Sequence, residues 1–380
     1  MLSKGFEIEI YTGTPEADVV GLSDKIVSAL DGFVREPDNR NVEYITAPSI
    51  NYEQLLCALL RPRMQLRKYL HSLGNYTLIP GSTLSLVEDD RFFRSDPTNP
   101  YHSHIENAYG TKVVTASVHI NIGIDDPETL MRACRVIRLE APLFLALSAS
   151  SPFIKGKASG FHSTRWGLFP QTPNPVPLFE SHAHHINWIE NQLANGSMYN
   201  VRHLWTSVRP NGDHRPYDLN RLELRICDLV TDPIALLAIT AFLEARIIQI
   251  IDNPRIDPLT QSQLSPDELI DLNRKNEIAA ATSSLDAQLK HWKDDSTITA
   301  RDWITYLHQD LDIIAEKNGF SHFFSELLKI LQSGNEAQQW LQLHGVGFSA
   351  RDVLIQAIDT MKERERELEL EDKVCSSLAA

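Results

Sequence analysis

The chain is poor in cysteine. Four occur in 380 residues, Cys57, Cys134, Cys227 and Cys375, and none forms a Cys-x-x-Cys pair. That spacing supplies neither a disulfide framework nor a thiolate zinc site, and it fits a reducing, cytoplasmic setting. Long apolar runs are also scarce. Stretches such as 141–148 are too short to cross a bilayer, and Glu7 and Glu9 interrupt any leader-like segment, so no membrane association is expected. Basic charge is in deficit: 36 Lys and Arg against 50 Asp and Glu leave a formal charge of −14. A surface built mainly for nucleic acid is thereby excluded. Anionic substrates are not, because local arginines or metal ions can handle their charge. Phosphate-binding loops are missing too. Lys157 follows Gly156, but the loop Gly-x-x-x-x-Gly-Lys-[Ser/Thr] needs glycine at 151 and a hydroxyl at 158, where the chain has Ser151 and Ala158. A nucleotide, if one binds, is held by metals and arginines instead.

What is present is an ordinary globular composition, 42% hydrophobic and 23% charged, able to bury a large core without staples. The pattern changes near residue 230. Before it, short alternating runs are separated by loops rich in Gly and Pro. After it, the periodicity is helical almost to the end. Asp232-Pro233 reads as a helix start, Asp at the N-cap and Pro at the first position, and the apolar segment to Ile251 predicts a buried helix. Ser265-Pro266-Asp267-Glu268 reads as another start. Further helices are expected over 301–317, 322–333 and 350–370, the last charge-dense and solvated. An earlier apolar helix is expected from about Asp126 to Leu147. The division is one domain over 1–380, with an α+β part over 1–230 and a mostly helical part over 231–380. Two long aromatic loops, 87–104 and 168–178, are of the kind that forms lids or pocket walls.

Four segments alternate with period two, the signature of half-buried antiparallel strands. In Gly5-Phe-Glu-Ile-Glu-Ile10, Phe6, Ile8 and Ile10 oppose Glu7 and Glu9. In 41–46, Glu43 opposes Val42 and Tyr44. In 117–124, His119 and Asn121 oppose Val118, Ile120, Ile122 and Ile124. In 221–228, Arg221, Glu223, Arg225 and Cys227 oppose Leu222, Leu224 and Ile226. A charged outer face is unremarkable on one strand. Across four, the polar faces carry Glu7, Glu9, Glu43, His119, Asn121, Glu223 and Arg225, without the Lys, Thr and Ser of a solvated sheet. Paired in one sheet, they make a carboxylate-lined floor. Such a floor suits hard divalent cations, Mg²⁺ or Mn²⁺, and cations that bridge phosphates suggest phosphoryl transfer.

Other features compete. The hydroxyl-rich loop 148–153 followed by Ser163-Thr164-Arg165 suits anion binding, or simply ends a helix. His182, His184 and His185 resemble a zinc cluster but lack a distant partner motif, and spread around the first turns of a helix. Segment 202–210 reads as a further strand whose arginines are candidate phosphate or carboxylate ligands. Cys57 and Cys134 fall on apolar helix faces. Cys227 lies beside the floor with no His placed to activate it.

The segments also resemble a known family. Gly5-Phe-Glu-Ile-Glu9 is similar to the opening of the glutamate–cysteine ligase and carboxylate–amine ligase superfamily. Glu43-Tyr-Ile-Thr46, Ser117-Val-His-Ile-Asn-Ile-Gly123, the 147–153 loop with Ser163-Thr-Arg165, and Leu222-Glu-Leu-Arg-Ile-Cys-Asp228 resemble its later motifs in order. The wording of 146–153, 163–173 and 221–233 looks closest to the cyanobacterial type of glutamate–cysteine ligase. The resemblance implies a glutamine-synthetase-like α+β fold: a curved antiparallel sheet with helices packed on one face and a helical C-terminal part. It implies ATP, Mg²⁺, and the small-molecule substrates L-glutamate and L-cysteine, joined through a γ-glutamyl phosphate into γ-glutamylcysteine for glutathione synthesis. By position, Glu7, Glu9 and Glu223 would ligate metal, His119 would sit beside metal or ATP phosphates, and Glu43 would contact metal or substrate. Arg165 would hold glutamate, and Arg225 would stabilise the transferred phosphoryl group. Asn121 departs from many relatives. Two alternatives stand beside this: a carboxylate–amine ligase with another amine acceptor, and a zinc hydrolase using His119 with the 182–185 histidines. The sequence assigns no oligomeric state.

Overall fold

The structure, a computed structural model, describes residues 1–88 and 90–371. Its centre is a seven-stranded antiparallel sheet of order β2-β3-β1-β5-β9-β8, with β4 also paired to β1. The strands are β1 (Lys4–Gly13), β2 (Phe33–Arg35), β3 (Asn41–Ile45), β4 (Thr77–Ile79), β5 (Val118–Gly123), β8 (Val208–Asn211) and β9 (Arg221–Leu224). Between them in sequence, β6 (Phe153–Ile154) and β7 (Lys157–Ala158) form a separate hairpin. Its turn residues Lys155 and Gly156 have φ of 50° and 73°, so the Gly-Lys step belongs to a tight turn.

β1 is the axis of the sheet. One edge pairs with β3, the other with β5 along Lys4–Ile8 and then with β4 along Tyr11–Gly13. The alternation works as expected: Phe6, Ile8 and Ile10 are buried while Glu7 and Glu9 stay on the opposite, half-buried face. Register then aligns the polar faces. Glu9 stands opposite Glu43, Glu7 opposite His119, and Asn121 opposite Glu223.

Helices cover the apolar face. The Pro127–Ser148 helix, capped by Asp126 on Thr129 N with Pro127 at its first position, packs on β8 and β9. The Tyr52–Leu73 helix, capped by Asn51 on Gln54 N, packs on β4. Behind both lies the Pro233–Asp252 helix, which starts at the expected Asp232 cap. By length and composition this helix could cross a membrane, with a mean hydropathy of 2.0 over its best window. That corrects the expectation that no run reaches this length. Here its side chains Leu236, Leu237, Phe242 and Leu243 are buried in the core. One apolar cluster runs from Phe6 to Leu368.

Buried charge ties the layers together. Glu140 takes a bidentate pair from Arg246 at 2.8 and 2.7 Å and a third bond from Trp292 Nε1. Lys4 Nζ lies 2.8 Å from Glu244, both side chains fully buried, with Tyr52 donating to the same carboxylate. Other expectations need correction. Segment 202–210 is a strand only from Val208, since 201–203 coils into a 3₁₀ turn. The 322–333 helix is two helices, Ser321–Ser325 and Leu327–Ser333. The 87–104 loop ends inside a helix, Pro100–Tyr109, begun by Asn99 and Pro100. Cys57 is disulfide-bonded, although the scattered cysteines argued against disulfides, and Cys375 lies outside the described residues.

Candidate active site

The polar face of the sheet gathers Glu7, His119 and Glu223, whose ligand atoms lie within 4.8 Å of one another. Among the described residues this is the one group of three or more His, Cys, Asp or Glu placed to hold a metal ion. His119 Nδ1 is 3.0 Å from Glu7 Oε2 and 3.6 Å from Glu223 Oε1. Asn121 donates to Glu7 Oε1 at 3.2 Å, and its own Oδ1 is buried with no partner among the described residues. Glu9 sits one step along β1, where Ser117 Oγ donates to it at 2.7 Å and also reaches His119 Nε2 at 3.2 Å.

Glu223 is fully buried, and its charge is held by three donors. Arg209 grips it from the facing position on β8 with Nε at 2.7 Å and Nη2 at 3.1 Å. Asn211 donates at 2.7 Å, and Arg225 Nη1 donates to Oε1. Burial pushes the Glu223 carboxyl up, but Arg209, Arg225 and His119 outweigh it and hold it well below the usual carboxylate range. The same contest at Glu7 ends lower than usual: burial and Glu223 raise it, His119 and Arg225 lower it by more. Both acids stay ionised and available to a cation.

Glu43 behaves differently. Burial, with Glu7 and Glu9 nearby, raises its carboxyl to about 8 against a hydrogen bond from Glu36. Glu36 is likewise raised well above the ordinary value by burial, Glu9 and Glu43. Two carboxyls bonded to each other among like charges both favour the protonated form more than a free carboxyl does.

Arg165 is buried, with its fork turned to the backbone. Its Nη1 and Nη2 donate to the carbonyls of Ile226 and Arg225 at 3.1 and 3.0 Å, and Asp228 is 3.8 Å away. Its Nε is buried with no partner among the described residues, and it lines a cavity of about 420 Å³ with Tyr109, Lys112 and Thr164. A second cavity of similar size is walled by Phe6, Glu7, Ile45, Thr46 and Asn121. The hydroxyl-rich loop does bind an anion, and that anion is Asp228. Ser150 N, Ser151 Oγ and Ser163 Oγ donate to its buried carboxylate at 3.0, 2.7 and 2.9 Å.

The 182–185 histidines form no metal group among the described residues. They sit in the first turn of the His182–Ala194 helix, where His182 Nε2 meets Pro216 O and His184 Nδ1 accepts from Glu180 N. His185 packs on Phe179, and burial lowers it to about 3. Cys227 is buried beneath the floor, its thiol pushed up by burial to about 12, which disfavours the thiolate. Sequence reasoning missed Glu36, Ser117, Asn211 and the anchoring role of Asp228, and singled out Arg209 only as one of several arginines. Arg209 is two residues from Asn211 on one strand face. That spacing was legible; the partner across the sheet was not.

Two curated relatives are similar to part of the chain: "Putative glutamate–cysteine ligase 2" of Sorangium cellulosum, 29% identical over 232 residues, and "Putative glutamate–cysteine ligase 2-1" of Frankia alni, 27% identical over 255 residues. The matches cover 60% and 66% of this chain but 58% and 63% of those proteins, so it spans about three fifths of the relatives' length. Among solved structures, the glutamate–cysteine ligase of Francisella tularensis in complex with AMP superposes with a TM-score of 0.73 at 14% identity, over 99% of this chain and 91% of that one. A bifunctional glutathione synthetase of Pasteurella multocida gives 0.74 at 14% identity, over 96% of this chain and 53% of that one. The glutamine-synthetase-like fold expected from the motifs, an antiparallel sheet with helices on one face, is the fold observed. The model of glutamate-cysteine ligase family 2 (GCS2) matches residues 3–363, and the chain belongs to that family.

Proposed function

We propose that this protein joins the γ-carboxylate of L-glutamate to the amine of L-cysteine, using ATP and Mg²⁺, through a γ-glutamyl phosphate. The observation that carries the reading is the convergence of Glu7, His119 and Glu223 within 4.8 Å beside the Arg225 guanidinium. The donor set fits the cation. Two ligands of one Mg²⁺, each at about 2.1 Å, stand at most about 4.2 Å apart, a small adjustment from the spacing here. Glu7 and Glu223 would hold it as carboxylates. His119 would offer a ring nitrogen in place of its present bond to Glu7. A bound Mg²⁺ supplies charge neutralisation to the ATP phosphates.

The chain's own residues position and neutralise. Arg225 sits between Glu223 and His119, where its fork can meet the γ-phosphoryl oxygens. Arg165 and Lys112, on the walls of one cavity, would take the glutamate there. The cavity beside Glu7 is left for the nucleotide. A γ-carboxylate oxygen then attacks the γ-phosphorus and ADP departs. The cysteine nitrogen attacks the acyl carbon, inorganic phosphate leaves, and the amine gives up a proton. Holding three anions and an amine in line supplies most of the acceleration. Family membership supports the ligase class; the amine acceptor is the finer part of the proposal.

The test is incubation of the purified protein with ATP, Mg²⁺, L-glutamate and a panel of amines, following ADP and product mass. ADP formed only with glutamate and cysteine is the expected result. ADP with glutamate and a different amine would transfer the reading to another carboxylate–amine ligase. No ADP with any amine would end it.

A further inference from the structure

Charges drawn out of water are normally paired, and two side chains of opposite sign, Arg138 and Glu277, form no ion pair among the described residues. Arg138, on the Pro127–Ser148 helix, spends Nη1 and Nη2 on the carbonyls of Pro177 and Val176 at 2.8 and 2.7 Å. Its Nε is buried without a partner among the described residues, and no carboxylate forms an ion pair with it. Glu277, on the Pro266–Ser283 helix, is 3% exposed and likewise forms no ion pair among the described residues. Its carboxylate accepts only from neutral groups: Trp166 Nε1 at 3.1 Å, Gln171 Nε2 at 2.7 Å and Asn273 Nδ2 at 2.9 Å.

Both residues line one cavity of about 290 Å³, together with Gln171, Thr206, Trp205 and Asn273. Asn273 is 5% exposed and leaves its Oδ1 without a partner. The two opposite charges attract across this space without forming an ion pair, and the exposed Asp271 and Arg274, themselves 3.9 Å apart, also line it. We infer that the cavity is a binding site for a zwitterionic α-amino acid, distinct from the catalytic floor. Its carboxylate meets Arg138 Nε, and its ammonium meets Glu277 and Asn273 Oδ1. A ligand carrying both charges meets both walls, whereas one carrying a single charge meets only one, so the zwitterion is favoured. The volume falls just under the range of small-molecule pockets, roughly 300–1,000 Å³, which suits a molecule of amino-acid size.

The site is one aromatic layer from the floor. Trp166, whose indole N–H holds Glu277, has its ring 5.6 Å from the Arg165 guanidinium and stacks on Phe169. A ligand ammonium that draws on Glu277 therefore acts on the ring that packs against Arg165. The binding inference does not depend on the ligase reading.

Calorimetric titration of the full chain with L-serine, ethanolamine and propionate tests it. L-serine is expected to bind at one site and the half-charged probes at least tenfold more weakly. Glu277→Gln is expected to weaken L-serine at least tenfold, and Asn174→Trp, at the exposed mouth of the cavity, to abolish it with the fold intact by circular dichroism. Glu7→Gln is expected to keep it, which separates this cavity from the catalytic floor. Absence of L-serine binding, equal binding of ethanolamine or propionate, or L-serine affinity unchanged in both Glu277→Gln and Asn174→Trp would overturn the inference.

Discussion

Glu7→Gln separates a catalytic floor from a merely acidic one. The change keeps the side chain's shape and removes its charge. The fold has little to lose. The Glu7 side chain is 23% exposed, and its ion-pair partner is His119 at 3.0 Å. Such a partly exposed pair is worth about 0.5–1 kcal/mol, and removing a like charge beside Glu223 returns part of it. For a chain this long that moves Tm by about 1–2 °C. Turnover has much to lose. With one of three cation ligands gone, and with it the charge that places the phosphates, we expect kcat to fall by about 10³ or more, about 4 kcal/mol. The melt supplies a second readout. In the wild type, Mg²⁺ at about a hundred times its Kd adds about 2.7 kcal/mol, so melts with and without Mg²⁺ stand several degrees apart. In Glu7→Gln they should coincide. Turnover within about threefold of wild type, or a retained Mg²⁺ shift, would refute the reasoning.

Three further outcomes are expected. Arg209→Met strips the bidentate partner from fully buried Glu223 and should cost about 3 kcal/mol by urea denaturation, whereas Arg209→Met with Glu223→Leu should recover much of it; equal losses would show that the two are not coupled. Burial raises the Glu336 carboxyl to about 7 despite donation from Thr231. A raised acid contributes stability fully present below its unfolded value and lost as pH rises through the folded one. This group should therefore contribute a decline of about 1–3 kcal/mol between about pH 4.5 and 7, and Glu336→Gln should decline by that much less than wild type; parallel denaturation profiles from pH 5 to 8 would contradict it. Asp228→Asn leaves Arg165 without its carboxylate at 3.8 Å and one of the three loop donors without an acceptor, and KM for glutamate should rise by about tenfold with a smaller change in kcat.

Much of this was written in the chain itself. Period-two alternation at 6–10, 118–124 and 221–226 set which side chains face the core, because side-chain direction in a strand follows from the backbone alone. Asp126, Asp232 and Ser265 marked helix starts, since a cap and its proline act within one turn. The ordered motifs named the family before any contact was seen. Pairing was decided elsewhere. Nothing local makes β1 the axis of the sheet, puts His119 opposite Glu7, or sets Arg209 against Glu223; register between segments far apart in sequence is fixed by packing of the whole sheet on its helices. For the same reason the hydroxyl loop proved to serve Asp228, Glu36 came to lie against Glu43, and Arg138 and Glu277 were left facing one cavity. Each carries its charge in the sequence, but what that charge meets is a property of the tertiary structure.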